Sequence, residues 1–221
     1  IFPKHLIDLN LISLFSNTII LVFLSSFVLI SFAFISNYGN RLSRSKFLEI
    51  LTTFSISGYA IPGIILAVAF ITFISWFDNS IVSFFDIKNI KPIFIGSILG
   101  LVIVYFIRFY SLASNGIKSG YLKISYSIDE SAYLLGYSKF KTFKNIHIPY
   151  LKNSILLIGI LISIEIIKEL PITLIMRPFN FETFATQAYI YASQDLLEAA
   201  AAPSLFLILI ASFFILITSR Y

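Results

Sequence analysis

The sequence has no cysteine, little charge and only two histidines, and each shortage excludes a class of site. There is no Cys among its 221 residues, so disulfide bonds and thiolate metal sites are excluded. His5 and His147 are far apart along the chain, and we therefore expect neither a catalytic nor a metal-binding histidine cluster. Only 12% of the residues are charged, about half the usual share in soluble domains.

A phosphate-binding glycine loop is also missing. No segment fits the pattern G-x-x-x-x-G-K-[ST], in which backbone N–H groups and a lysine hold nucleotide phosphates. We therefore expect that the chain does not bind ATP itself and is not an enzyme, and we predict no cofactor or metal bound to it.

The sequence is rich in hydrophobic residues, and these form long runs. Hydrophobic residues make up 58% of the chain, more than a water-soluble domain can bury. We predict an all-α integral membrane protein with a single transmembrane domain over residues 1–221, and the Pro62–Gly63 pair predicts a break in its second span. The predicted spans lie at about residues 11–36, 48–76, 92–114, 154–176 and 200–219, with a polar loop at 116–152.

The net charge of +5 is distributed in a way that indicates membrane topology. Five spans place ten Lys and Arg residues on one side and four on the other. The ten are Arg41, Arg44, Lys46, Lys118, Lys123, Lys139, Lys141, Lys144, Lys152 and Arg220, and the four are Lys4, Lys88, Lys91 and Arg177. The positive-inside rule then predicts that the 116–152 loop and the C-terminus are cytoplasmic and the N-terminus is outside. Basic residues on one face with interleaved aromatics are absent, so we expect no nucleic-acid partner.

The 116–152 loop contains start and stop signals for two helices. Ser127 and Glu130 have the spacing of a capping box, which predicts a helix from about residue 128. Gly136 can adopt the left-handed conformation that ends it. Ser138 can cap a second helix, and Pro149 predicts where that helix ends. The expected result is two short helices at an angle, outside the bilayer.

This loop resembles the cytoplasmic coupling loop, or EAA loop, of ABC importer permeases. Five positions fall on the family pattern in register, and they are Glu130, Ala132, Gly136, Ile146 and Pro149. Ser131 and Ile148 stand where the pattern has Ala and Leu. The resemblance implies the five-helix core of methionine- and maltose-type importers. It also implies that Glu130 bonds in a groove of a separate ATPase, that Gly136 allows the bend, and that Ala132 and Ile146 pack on the ATPase surface.

Charged residues inside the predicted spans are a second candidate site, because ionisable groups in a bilayer are costly. Glu165, Lys168 and Glu169 have spacings that place them along one side of a helix, just before Pro171. Arg108 lies in the third span, about two turns from its predicted cytoplasmic end. These residues either line a translocation path or neutralise one another, and the two roles are compatible.

Several stretches outside the loop resemble ferric-iron ABC permeases, specifically the C-terminal half of such a two-half protein. The matching stretches are residues 58–63, 105–109, 168–174, 177–183 and 192–203. The resemblance implies a multi-pass protein of the bacterial inner membrane. Its expected partners are ABC ATPase subunits, a periplasmic solute-binding protein and a second permease half. We expect the chain to be one half of a longer protein.

Three alternatives to ferric-iron import stay open on the sequence alone. Permeases for thiamine, phosphonates or polyamines share much of this scaffold. A secondary transporter would instead use Glu165 and Glu169 as proton carriers. An assembly protein of the membrane would have no transport path.

Overall fold

The structure, a computed structural model, describes residues 11–43, 46, 50, 53, 57–85 and 94–218. Residues 1–10, the starts of the second and third predicted spans and the end of the fifth lie outside these residues. In the described ranges the chain forms nine α-helices, a 3₁₀ turn at Ser57–Ala60 and a π turn at Phe143–His147. The helices are α1 (Leu11–Ser43), α2 (Gly63–Phe85), α3 (Ile98–Tyr121), α4 (Tyr126–Leu134), α5 (Lys139–Thr142), α6 (Ile148–Ile167), α7 (Pro171–Met176), α8 (Phe184–Ser193) and α9 (Leu197–Thr218).

Five helical stretches are long and apolar enough to cross a membrane, so the predicted fold class is confirmed. They are Leu11–Ser43, Gly63–Ser80, Ile98–Tyr121, Lys139–Ile167 and Leu197–Thr218. Each contains at least 18 residues, and 18 helical residues extend over roughly 27 Å, close to the thickness of a bilayer core.

Several predicted boundaries are wrong because polar residues taken for loops have partners within the fold. The predicted loop at 37–46 is helical as far as Ser43, and Asn37 is buried and donates to the Ala33 and Ser114 carbonyls. The second span does not end at residue 76, since α2 continues to Phe85. Likewise α3 continues to Tyr121, which places Arg108 near the middle of its helix.

The fourth span is also built differently from the prediction. Pro149 does not end the second loop helix, because α5, the π turn and α6 form one helical stretch from Lys139 to Ile167. The wider turn ends with the Ile148 N–H bonded to the Phe143 carbonyl, and Pro149 follows as the second residue of α6, where a missing N–H does no harm. The predicted 154–176 span breaks after Ile167, and α7 begins at Pro171.

Helix α3 is the centre of the bundle and packs against α1 and α6, which also pack against each other. Tyr105, Phe109 and Ile117 of α3 are essentially fully buried in the shared core. Gly116 allows α3 to approach α6 closely, because a Cβ atom there would lie 2.5 Å from Ile158 Cγ1. Small residues at such crossings are the usual basis of packing between membrane helices.

Helices α2 and α9 are the least covered of the five spans. Only 11% of the apolar window of α9 and 28% of that of α2 is buried inside the chain. Helix α9 packs against α8, where Phe184 and Phe206 stack with ring centroids 5.6 Å apart. The apolar side chains on the rest of these helices face outward, as expected for surfaces in contact with lipid or another membrane helix.

Candidate functional site

The polar segment between α3 and α6 forms an elbow of two helices, as predicted, although its first cap differs. Ser125, rather than the predicted Ser127–Glu130 box, begins α4, and its Oγ accepts from the Ser127 N–H. Gly136 has φ +80°, the predicted left-handed end. Its N–H bonds to the Tyr133 carbonyl and the next N–H bonds to that of Ala132, the pattern of a Schellman motif. Ser138 caps α5, as predicted, by accepting from the Lys141 N–H.

The outer surface of this elbow combines exposed apolar and charged side chains. Leu134 is 89% exposed and Phe140 is 72% exposed, and Glu130, one turn before Leu134 on α4, is also exposed. Among the predicted coupling residues, Gly136 and Pro149 are also exposed and Ile146 is half-buried. Ala132 is 3% exposed. The side chain packs inside the chain, and the expected contact of Ala132 with an ATPase surface stays a prediction.

The inner surface of the elbow carries a buried charged cluster that the sequence analysis missed. Asp129 of α4 accepts from Arg41 Nε at 2.7 Å through Oδ2 and from His147 Nε2 at 2.7 Å through Oδ1. The side chains of Arg41, Asp129 and His147 are 7%, 11% and 0% exposed. Arg41, expected in a polar loop, is instead a buried residue near the end of α1.

Arg41 also binds the backbone that connects α3 to α4. Its Nη2 donates to the carbonyls of Ile124 and Ser125 at 3.0 Å each, and its guanidinium lies 4.4 Å from the ring centroid of Tyr126. Arginine suits this position because its planar fork can bind a carboxylate and carbonyls together while stacking on an aromatic ring. The end of α1 is thereby joined to the start of the elbow.

In the middle of the bundle, Arg108 and Glu169 form a mostly buried ion pair. Arg108 Nε lies 3.3 Å from Glu169 Oε2, and the side chains are 19% and 8% exposed. Arg108 Nη1 also donates to the Ile61 carbonyl at 2.7 Å, at the predicted break before α2. Gly63 faces the pair so closely that a Cβ atom there would lie 2.8 Å from Glu169 Oε1.

Glu165 and Lys168 form a second pair, so each of the two glutamates has one cation as its partner. Lys168 Nζ donates to Glu165 Oε1 at 2.7 Å, and the Lys168 side chain is 55% exposed. The separation arises because α6 ends at Ile167, which turns Glu169 toward Arg108. Pro171 is exposed and begins α7.

Hydroxyl groups extend the Arg108–Glu169 pair into the core. Thr173 Oγ1 donates to the Glu169 carbonyl at 2.7 Å, and the buried Tyr105 hydroxyl bonds to Thr173 Oγ1. The Ile172 N–H approaches Glu169 Oε1 at 3.4 Å. A Tyr and a Thr in apolar runs were the available sequence signal for these contacts, but many such hydroxyls bond only to their own helix.

The connection between α7 and α8 is held by a second Arg–Glu pair. Arg177 Nη1 bonds to Glu182 Oε1, and Asn17 of α1 donates to the Glu182 carbonyl at 3.0 Å. Burial lowers the pKa of the Arg177 guanidinium from its usual value, and Glu182 supplies the counter-charge. Phe179, at the tip of this loop, is 100% exposed.

Solved structures with the same architecture identify the fold. A bacterial ABC transporter involved in the import of the acidic polysaccharide alginate superposes with a TM-score of 0.73 at 17% identity, over 95% of this chain and 79% of that one. A bacterial alginate ABC transporter in complex with an alginate pentasaccharide-bound periplasmic protein gives 0.74 at 16% identity, over 95% and 77%. The chain has the fold of an ABC importer permease.

Sequence comparison agrees with this fold over a smaller part of the chain. No family model matches the chain. The Fe(3+)-transport system permease protein FbpB 2 of Haemophilus influenzae is 20% identical over 163 residues, which are 74% of this chain and 30% of that protein. The chain thus matches less than a third of the length of that relative. Within the part of the chain that the structure describes, no group of three or more His, Cys, Asp or Glu could hold a metal ion.

Proposed function

We propose that this chain is the permease subunit of an ATP-driven importer and that its α4–α5 elbow docks on a separate ATPase. The observation that supports the proposal is the presence of this elbow in a chain that has the fold of an importer permease. The elbow presents an exposed carboxylate at Glu130 and exposed apolar side chains at Leu134 and Phe140. Exposed apolar side chains rimmed by polar ones are typical of protein contact sites.

The proposed orientation places the elbow in the cytoplasm. The ten-to-four distribution of Lys and Arg supports this orientation, because the side with more Lys and Arg is usually cytoplasmic. Three of the ten, Lys139, Lys141 and Lys144, lie in the elbow region and are exposed. The N-terminal end of α1 and the loop that contains Phe179 then face the periplasm. We propose that this loop binds a periplasmic solute-binding protein. We also propose that the chain lies in the bacterial inner membrane.

We propose that ATP-driven closure of the ATPase subunits moves the elbow and rocks the membrane helices between outward- and inward-facing states. A second permease half completes the path, and the uncovered apolar sides of α2 and α9 fit such a neighbour. Arg108 and Glu169 lie where helices α2 and α6 are both interrupted. Interrupted helices in transporters commonly mark the region that meets the cargo.

Ferric iron is the proposed cargo, supported by the FbpB 2 relative and by the resemblance of residues 168–183. The alginate importers that share the fold make another solute the second candidate. We assign no residue as an iron ligand, because the described residues contain no cluster of possible metal ligands.

Uptake into proteoliposomes tests the proposal. The complete transporter would be reconstituted with ATP inside and with its solute-binding protein and radioactive ferric iron outside. We expect uptake that stops when ATP is omitted and continues when an uncoupler collapses the proton gradient. A secondary transporter would show the opposite dependence, and an assembly protein would show no uptake. If thiamine, a phosphonate or a polyamine inhibits the uptake of iron, that solute becomes the proposed cargo in place of iron.

Two variants on the same helix test the docking surface. Glu130→Ala should lower both uptake and solute-stimulated ATP hydrolysis, because it removes the exposed carboxylate available for a charge-assisted hydrogen bond. Ser131→Ala changes the neighbouring exposed residue and should leave both rates unchanged. Normal uptake by Glu130→Ala would show that the elbow is not the coupling site.

A further inference from the structure

Helix α4 presents two adjacent carboxylates to opposite surroundings. Glu130 is exposed on the outer surface of the elbow. Asp129 is one residue earlier, which turns it by about 100° around the helix axis, and it is buried against the membrane helices. The proposed ATPase contact accounts for Glu130 and leaves the buried Asp129 without a role.

Each carboxylate oxygen of Asp129 is bound by a different membrane helix. Oδ2 accepts from Arg41 near the end of α1, and Oδ1 accepts from His147 just before α6, both at 2.7 Å. The partners are 88 and 18 residues away along the chain. One side chain of α4 therefore joins the elbow to both of the helices that flank α3.

The rest of α4 has little to hold it in place. The helix has nine residues, of which only Asp129 and Ala132 are buried and only Ile128 is partly buried against the core. An isolated helix of that length is unstable in water, and Ala132 offers only a methyl group for packing. The Arg41 bonds to the Ile124 and Ser125 carbonyls depend on the same guanidinium that binds Asp129.

The hydrogen-bonding pattern indicates a neutral His147. Nε2–H donates to Asp129, whereas Nδ1 is buried and has no hydrogen-bond partner in the described part of the chain. A protonated ring would add a buried N–H donor without an acceptor, which is costly. Asp129 is then balanced by Arg41 alone, and the pair adds no net charge to the interior.

We propose that Asp129 is a positioning residue that fixes the elbow to α1 and α6 through Arg41 and His147, so that force applied at Glu130 moves the membrane helices and not α4 alone. The inference rests on the proposed function. It assigns contact with the ATPase to the outer surface of α4, and transmission of the resulting movement to the membrane helices to its inner surface. Loss of Asp129 would then leave docking intact while α4 shifts against α6.

A distance measurement that does not depend on the cargo tests this inference. Because the chain has no Cys, Ser131→Cys on α4 and Lys152→Cys on α6 would carry the only spin labels of the chain. Both positions are exposed. Their separation would be measured by pulsed electron spin resonance in the complete transporter, with and without a non-hydrolysable ATP analogue. We expect an unaltered distance when Asp129 is present.

In Asp129→Asn, which keeps the side-chain shape, the nucleotide-free distance should match that of the unaltered chain. In this variant, the fraction of molecules with a displaced α4 should be roughly fivefold higher or more with the analogue than without it. An increase of that size is within the range of coupling changes that single residues produce. Asp78→Asn is the matched control, because Asp78 is also buried, at 6% exposure, but accepts from the Phe94 and Ile95 N–H groups in another part of the bundle. It should respond like the unaltered chain.

An equal distance with and without the analogue in Asp129→Asn would overturn the inference, whether the distribution is narrow or broad. A broad distribution in both states would assign Asp129 a purely structural role. If Asp129→Asn does not accumulate in the membrane, Arg41→Gln and His147→Gln break the two links singly and should each give the nucleotide-dependent displacement. Loss of uptake in Glu130→Ala with no displacement in these variants would reject the inference and retain the proposed function. Normal uptake in Glu130→Ala would reject the proposed function instead.

Discussion

At the scale of single residues, the fold depends on charged groups that are buried in pairs. Arg108 and Glu169 are 3.3 Å apart, and Arg41 and Asp129 are 2.7 Å apart. Burying either partner alone would cost several kcal/mol, whereas a well-bonded pair recovers much of that cost. Each pair thus joins two helices and makes each member depend on the other.

Arg108→Met should lower stability strongly because it leaves Glu169 buried without its counter-charge. Removing one partner of a buried pair costs about 3–5 kcal/mol, so the thermal unfolding temperature in detergent should fall sharply. Arg108→Met combined with Glu169→Gln should recover much of the loss. Recovery of stability without uptake would show that the pair also serves the cargo path. A harmless single substitution would mean that water already solvates Glu169.

Lys168→Met should have little effect on stability, in contrast to Arg108→Met. The Lys168 side chain is 55% exposed, and exposed ion pairs contribute roughly 0–1 kcal/mol. The same unfolding measurement in detergent checks this expectation. A loss as large as that of Arg108→Met would indicate that a neighbouring subunit buries the Glu165–Lys168 pair in the complete transporter.

The sequence revealed only some of these residues. Arg108 and Glu169 were predicted as site residues because a charge in an apolar run stands out. Asp129, Arg41 and His147 were missed because polar residues in a polar stretch show no such contrast. Their pairing joins positions as far as 88 residues apart, and neither periodicity nor spacing contains that information. The pairing of Arg108 with Glu169 likewise required the helix break after Ile167, whereas the helical spacing of Glu165 and Lys168 already allows that pair.

At the scale of helices, the spans were predictable and their ends were not. The five apolar runs, the break near Pro62 and the left-handed end at Gly136 follow from local composition and local backbone preferences. The extensions of α1, α2 and α3 depend on tertiary partners. The π turn before Pro149 is a local adjustment that keeps a helix continuous where a proline would ordinarily end it.

Gly116→Ala should destabilise the packing of α3 against α6. The new Cβ would lie 2.5 Å from Ile158 Cγ1, and overpacking of this kind costs about 1–3 kcal/mol. Gly39→Ala is the matched control, because Gly39 lies in α1 with nothing within 4 Å of its Cβ position. The control should gain up to about 1 kcal/mol from helix propensity. Equal melting temperatures for the two variants would contradict the close approach of α3 and α6.

Gly136→Val should disrupt the elbow without affecting membrane insertion. A β-branched residue resists the φ of +80° that Gly136 adopts, whereas a Cβ there would meet no neighbour within 4 Å. The expected result is normal yield with reduced ATP-dependent uptake. Gly136→Asn should retain more activity, because Asn tolerates the left-handed conformation better. Equal uptake by the two variants would show that backbone conformation at this position does not limit coupling.

At the scale of the whole molecule, the proposed orientation follows from the asymmetric distribution of Lys and Arg. Cysteine introduced at Ser138 should react with an impermeant reagent only from the cytoplasmic side, and cysteine introduced at Ser193 only from the outside. Both positions are exposed, and the chain contains no competing thiol. Labelling of both from the same side would reject the five-span topology.

The pairing of charges in the middle of the bundle has an electrical consequence. Moving one elementary charge through a membrane potential takes about 2.3 kcal/mol per 100 mV. Arg108 and Glu169 have opposite charges 3.3 Å apart, so a rocking motion that carries both together moves almost no net charge through the field. The same holds for Lys168 and Glu165, which are 2.7 Å apart. The voltage dependence of uptake should therefore report the charge of the transported solute, which distinguishes a cation from a neutral sugar or an anion.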